Sequence, residues 1–73
     1  MTVLTLVRAD DWEGIYLGDK LACEGHYVEL TVGIALAIEH KATGIKTVWC
    51  DLDWIHDRGD LPQNLADVKI VPQ

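Results

Sequence analysis

Four polar residues in the last third of the chain have the types and spacing that acid–base or metal chemistry requires. They are, in chain order, Asp51, Asp53, His56 and Asp57. On a helix, Asp53, His56 and Asp57 would project from one face, because they stand at positions i, i+3 and i+4. A second interpretation needs no chemistry, since carboxylates in the first turn of a helix cap it and complement its dipole. We expect the helix cap, and a small metal-dependent enzyme is the weakest of our three hypotheses.

A histidine earlier in the chain, His26, is the other candidate for a ligand or a general base. No nucleophile with a partnering base stands near it in sequence, so a half-buried, hydrogen-bonded histidine is the simpler interpretation. The chain contains no glycine-rich phosphate loop and no dinucleotide fingerprint. Its two cysteines, Cys23 and Cys50, match no zinc-site spacing. We therefore assign no catalytic residue, metal or cofactor, and a non-enzymatic protein is the favoured class.

The size and charge of the chain restrict what it binds. Its 73 residues make a single domain, 1–73, with a small core. Twelve carboxylates against six Lys and Arg give a net charge of −6, which argues against direct binding of nucleic acid. No apolar stretch approaches the ~20 residues that cross a bilayer, and no secretion signal is recognisable. We expect a cytoplasmic protein that binds neither membranes nor nucleic acid.

The clearest structural signal is a β-hairpin between Trp12 and His26. Two strand-like runs are separated by Gly18-Asp19, a pair that suits a two-residue turn. A constant index sum across such a turn places Ile15 opposite Ala22. On that register, one face of the hairpin is shared by Tyr16, Leu21 and Cys23.

After the hairpin, apolar residues recur at helical spacing from Val28 to Lys41, which predicts a helix. We expect Thr31 to cap the amino end and Gly44 to end the helix. Residues at three- and four-residue steps predict the side that faces the sheet, namely Leu30, Ile34, Ala37, Ile38 and Lys41. Leu36 should then point away from the sheet. Most of the remaining positions are also apolar, which indicates that a second element or a partner covers the back of the helix.

The remaining segments complete an α+β pattern. Strands are predicted over Thr2 to Val7, Ile45 to Cys50 and Val68 to Val71, the last ending before Pro72. A short helix should run from a cap at Asp51 or Asp53 to Gly59, with a further turn from Pro62. The predicted architecture is a small, mostly antiparallel sheet with a β-hairpin and one main helix packed on one face.

Large aromatic rings are numerous for so small a domain, and every one carries a polar atom because Phe is absent. Core packing accounts for most of them, but Trp and Tyr also dominate protein interfaces. Four of the rings and Leu36, which is predicted to point away from the sheet, are candidates for an interaction surface. These residues are Trp12, Tyr16, Leu36, Trp49 and Trp54.

Two segments resemble small uncharacterised proteins of bacteria, phages and other mobile genetic elements. One is Trp12 to His26, with its Gly-Asp-Lys-Leu and Glu-Gly-His pieces, and the other runs from Asp53 through Leu61-Pro62-Gln63-Asn64 to Lys69. Together they cover a little under half of the chain. The resemblance implies an intracellular protein and assigns no site residue. Proteins of that kind are often inhibitors of host enzymes or defence systems, and the resemblance suggests such a role only by analogy.

The leading hypothesis is a non-enzymatic protein-interaction module that self-associates, with a symmetric homodimer as the commonest form. The alternative is an acidic inhibitor that imitates nucleic acid and blocks a protein partner with a basic surface. The carboxylates are spread evenly along the sequence, so their distribution does not decide between the two.

Overall fold

A computed structural model describes residues 2–71 as one five-stranded sheet with two helices. The strands are β1 (Val3–Arg8), β2 (Glu13–Leu17), β3 (Lys20–Gly25), β4 (Gly44–Cys50) and β5 (Ile70–Val71). Their order in the sheet is β3-β2-β1-β4-β5, and only the β1–β4 pairing is parallel among these strands. The helices are α1 (Leu30–Glu39) and α2 (Leu52–Arg58), followed by a 3₁₀ turn at Leu65–Asp67. The predicted α+β architecture is confirmed.

The hairpin between β2 and β3 turns at the predicted residues, but its register shifts. Leu17 lies opposite Lys20 and Tyr16 opposite Leu21, as expected. A β-bulge then places Ile15 opposite Cys23 instead of Ala22. Because one extra residue moves the following side chains to the other side of the sheet, Cys23 does not share a face with Tyr16 and Leu21.

The main hydrophobic core lies on one side of the sheet, which we call the core face. Val7, Tyr16 and Cys50 are buried there against Ile55 of α2 and the segment that follows it. The Tyr16 hydroxyl donates a hydrogen bond to the Pro62 carbonyl, 46 residues away in sequence. The segment between α2 and β5 therefore closes the core.

Helix α1 covers the opposite side of the sheet, the α1 face, and several predictions for it are wrong. Its N-cap is Glu29 instead of Thr31, and it ends at Glu39, so Gly44 is the first residue of β4. The predicted orientation is wrong by roughly a quarter turn, since Ala37 faces the sheet as predicted but Leu30 and Ile38 are exposed. Leu36 is half-buried on the side toward the sheet, whereas Ile34 is exposed.

Helix α2 forms as the sequence predicts. The Asp51 carboxylate accepts a hydrogen bond from the Trp54 backbone N–H at 2.9 Å, and Gly59 ends the helix with φ of 86°. The turn predicted at Pro62 begins only at Leu65, and the last strand is shorter than expected. Pro72 lies outside the described residues. None of the helices described within 2–71 has the length and apolar character needed to cross a membrane.

Candidate protein interface

Helix α1 covers only part of the α1 face. It approaches the sheet over β2, where a Cβ on Gly33 would lie 3.6 Å from the Ile15 Cδ1 atom. A cleft of about 380 Å³ remains between the helix and the neighbouring strands. Its floor comes from β1 and β4, and its wall from the side of α1 that carries Leu30 and Ile34. The residues of β1 and β4 in that floor include Leu4, Leu6, Ile45 and Thr47.

The outer side of α1 and the adjoining part of β4 expose large apolar side chains to solvent. Leu30 and Ile38 are each 74% exposed, and Ile45 is 69% exposed. No residue of α1, which the structure describes in full, is buried. The helix carries no charge from Leu30 to Ile38. A helix without a polar side is ordinarily enclosed on all sides, so this surface is the strongest candidate for a functional site in the described chain.

One end of the cleft is closed by a polar network. The Arg8 Nε donates to the Glu13 carboxylate at 3.0 Å, and the other oxygen of Glu13 accepts from the Val28 backbone N–H at 3.1 Å. The Arg8 guanidinium also lies 5.0 Å from the centre of the Trp49 ring. This network fixes the path of the chain into α1 and pairs the charges of Arg8 and Glu13. The Glu29 carboxylate, which also lines the cleft, accepts a hydrogen bond from the Thr31 hydroxyl at 3.4 Å.

The residues predicted as an aromatic interaction surface do not form one patch. Tyr16 is fully buried in the core, and Leu36 faces the sheet. Trp12 and Trp54 pack against the hydrophobic cluster of the core face, whereas Trp49 stacks with Arg8 at the end of the cleft. These five side chains therefore lie at separate places in the fold.

The histidines of the weak candidate site meet in a second, smaller cleft of about 240 Å³. His26 and His56 both line it, together with Trp12 and Asp11. The His26 ring contacts the Trp12 ring edge-on at 4.9 Å, and its Nδ1 lies 3.2 Å from the Asp11 carbonyl oxygen. The other two residues of that candidate site, Asp53 and Asp57, do not line this cleft. Within residues 2–71, no three His, Cys, Asp or Glu side chains are placed to share a metal ion.

Neither cysteine has the environment of a nucleophile. Cys50 is buried in the core, Cys23 is half-buried, and both are free thiols. Burial raises the pKa of both thiols, which keeps them protonated near neutral pH. Since the thiolate is the reactive form, these residues serve packing.

Several carboxylates hold the fold together. Glu24 accepts hydrogen bonds from the Trp12 indole N–H at 3.3 Å and from the Leu61 backbone N–H at 2.8 Å. Asp19 in the hairpin turn accepts from the Ala66 backbone N–H at 3.3 Å. These groups, with the cap at Asp51, fix loops to the sheet. Fewer carboxylates are then free to imitate a row of phosphates.

Sequence reasoning predicted an apolar outer side of α1 but assigned the wrong residues to it, and it missed the role of Ile45. The relevant signal was present, because nine consecutive uncharged residues predict a helix covered on both sides. The sequence does not show which side the sheet covers. The part of β4 left open by α1 depends on the position of the helix over β2, which is a tertiary feature.

Comparison with known proteins gives no relative from which a function could be transferred. The chain matches no protein-family model, no curated protein and no solved structure. The function must therefore be argued from the surface itself.

Proposed function

We propose that this protein is a non-enzymatic interaction module that self-associates through the outer side of α1. The observation that carries the proposal is the uncharged run from Leu30 to Ile38, whose side away from the sheet is exposed in the single chain. Exposed apolar area of this kind costs free energy in water, and burying it against another molecule recovers about 25 cal/mol per Å². A domain of 73 residues with a thin core gains stability from such contact.

The oxidation state of the two cysteines bears on where the protein is located. Both are free, which suits a reducing compartment, and we propose a cytoplasmic location on that ground. An origin in a mobile genetic element remains a prediction from the sequence alone.

The first test is a pair of variants measured by light scattering from low to high micromolar concentration. Ile38→Lys places a cation in the last turn of α1, where the helix dipole tolerates it and the side chain is exposed. We expect this variant to fold and to remain monomeric while the wild type forms dimers. Gln63→Lys is the matched control, because it adds the same charge at an exposed position beside the core face.

A third variant checks the orientation of the helix. Leu36→Lys places a charge on the side of α1 that faces the sheet, so we expect it to lose roughly 1–3 kcal/mol of folding free energy. A wild-type protein that stays monomeric at high micromolar concentration would refute self-association.

A further inference from the structure

The α1 face is wider than one helix can cover. At the level of Ile45 and Thr47 the sheet has four strands, because β5 pairs only with Trp49 and Cys50. Four strands about 4.8 Å apart span roughly 14 Å between the outermost strands, and packed helices lie about 8–10 Å apart. A face of this width accommodates two helices side by side. Within the described residues the chain supplies only α1, which lies over β2. We call the uncovered part, formed by Leu6, Ile45 and Thr47, the β4 strip.

The β4 strip needs an uncharged helix with small residues on the side that meets it. The outer side of α1 has that composition. Gly33, Leu36 and Ala37 face the sheet, and at 100° per residue the side chains that point directly away are Thr31, Ala35 and Ile38. Threonine and alanine are small enough to let a second sheet approach closely. The flank that carries Leu30 and Ile34 faces the cleft.

We propose, on the basis of the self-association inferred above, that α1 of a second copy lies on the β4 strip of the first. In the same way, α1 of the first copy lies on the β4 strip of the second. The result is a two-fold dimer of three layers, in which two helices lie side by side between two sheets. Each helix then contacts its own sheet through Gly33 and Ala37 and the partner sheet through Ala35 and Ile38. The flanks that carry Leu30 and Ile34 meet the partner helix across the two-fold axis.

A second copy is the partner that this surface fits, because one molecule offers both the helix and the strip that receives it. A two-fold axis satisfies both requirements at once. The β4 strip itself carries no charge. Of the three charged residues that line the cleft, Arg8 and Glu13 are paired with each other, and Glu29 is exposed at the amino end of α1. A standard interface buries roughly 800 Å² on each partner, about a sixth of the 4739 Å² accessible surface of this chain.

Isotope-filtered NMR on the wild-type dimer tests the arrangement directly. A mixture of ¹³C-labelled and unlabelled protein reports only contacts between copies. We expect intermolecular contacts from the methyl groups of Ala35 and Ile38 in one copy to those of Ile45 and Thr47 in the other. A dimer whose intermolecular contacts join other surfaces, or α1 only to α1, overturns the arrangement and leaves self-association standing. A wild-type protein that is monomeric contradicts both the arrangement and self-association.

A pair of variants on one strand gives an independent measure. Thr47 lies on the α1 face, whereas its neighbour Lys46 points to the other side of the sheet, and both are exposed. Thr47→Glu should weaken dimerisation by roughly tenfold or more, because it places an unpaired charge against the partner helix. Lys46→Glu should leave the dissociation constant within about twofold of wild type, although it adds more negative charge. Equal effects of the two substitutions would contradict the proposal.

Discussion

At the scale of single residues, Tyr16 ties the sheet to the segment that closes the core. Its ring is fully buried and its hydroxyl donates to the Pro62 carbonyl. Burial raises the pKa of Tyr16 to about 12, with a smaller contribution from the Glu24 carboxylate, because both disfavour the phenolate. The neutral phenol is therefore required for the native packing.

The raised pKa predicts a loss of stability in alkaline solution. Below pH 10 the phenol is protonated in both the folded and unfolded chains, so its contribution is complete. Between about pH 10 and 12 the unfolded chain releases the proton more readily, and the free energy of unfolding falls as pH rises. We expect Tyr16→Phe to lose about 1–3 kcal/mol at pH 7, because the Pro62 carbonyl loses its donor, and to show a smaller further loss at high pH.

Urea denaturation at pH 8, 10 and 11.5 measures this effect. Tyr27→Phe is the control, since the Tyr27 side chain is exposed and its substitution should keep the wild-type pH dependence. If Tyr16→Phe and Tyr27→Phe behaved alike, the buried phenol would not be the group responsible.

At the scale of elements, the hairpin turn depends on the backbone conformation of Gly18. Its φ is 61°, in the left-handed region, and a Cβ added there would meet no atom within 4 Å. Any cost of a substitution is therefore conformational strain and not a steric clash. Asp19, the second central residue, has no positive φ, so this is the turn type that favours glycine at its first central position. We expect Gly18→Val to lose roughly 1–2 kcal/mol and Gly18→Ala to lose less, because alanine has no branch at Cβ. Denaturant titration of both variants gives the comparison, and a valine variant as stable as wild type would show that the turn rearranges.

The same scale explains which elements could be predicted from the sequence. The hairpin turn and the Asp51 cap depend on contacts within a few residues, so local residue types are sufficient to predict them. The bulge in β3 has no such signal, because Lys20 to Gly25 contains nothing that marks an inserted residue. The predicted orientation of α1 is wrong for a different reason. A helix that is apolar on every side has no polar face to indicate which side is solvated.

At the scale of the whole molecule, the two faces of the sheet are unequally covered. The core face holds a closed hydrophobic cluster that includes α2 and the segment around Leu61. The α1 face has a single helix without a buried residue in its described length. On this face Leu4 and Ile15 are buried within the single chain, whereas Leu30, Ile38 and Ile45 are exposed. In the dimer proposed above, a second molecule covers these exposed side chains, and folding would then be linked to association.

This linkage predicts that the melting temperature of the wild type depends on protein concentration. Each tenfold increase in concentration stabilises a dimer by about 1.4 kcal/mol. A hundredfold increase therefore adds roughly 1.4 kcal/mol per chain, which for a domain of this size raises the melting temperature by about 5–10 °C. Ile38→Lys, which should remain monomeric, should melt at one temperature throughout the range, whereas Gln63→Lys should follow the wild type. Calorimetry or circular dichroism over two decades of concentration measures all three proteins. A wild-type melting temperature that does not change with concentration would mean that the exposed side of α1 is no part of a self-association interface.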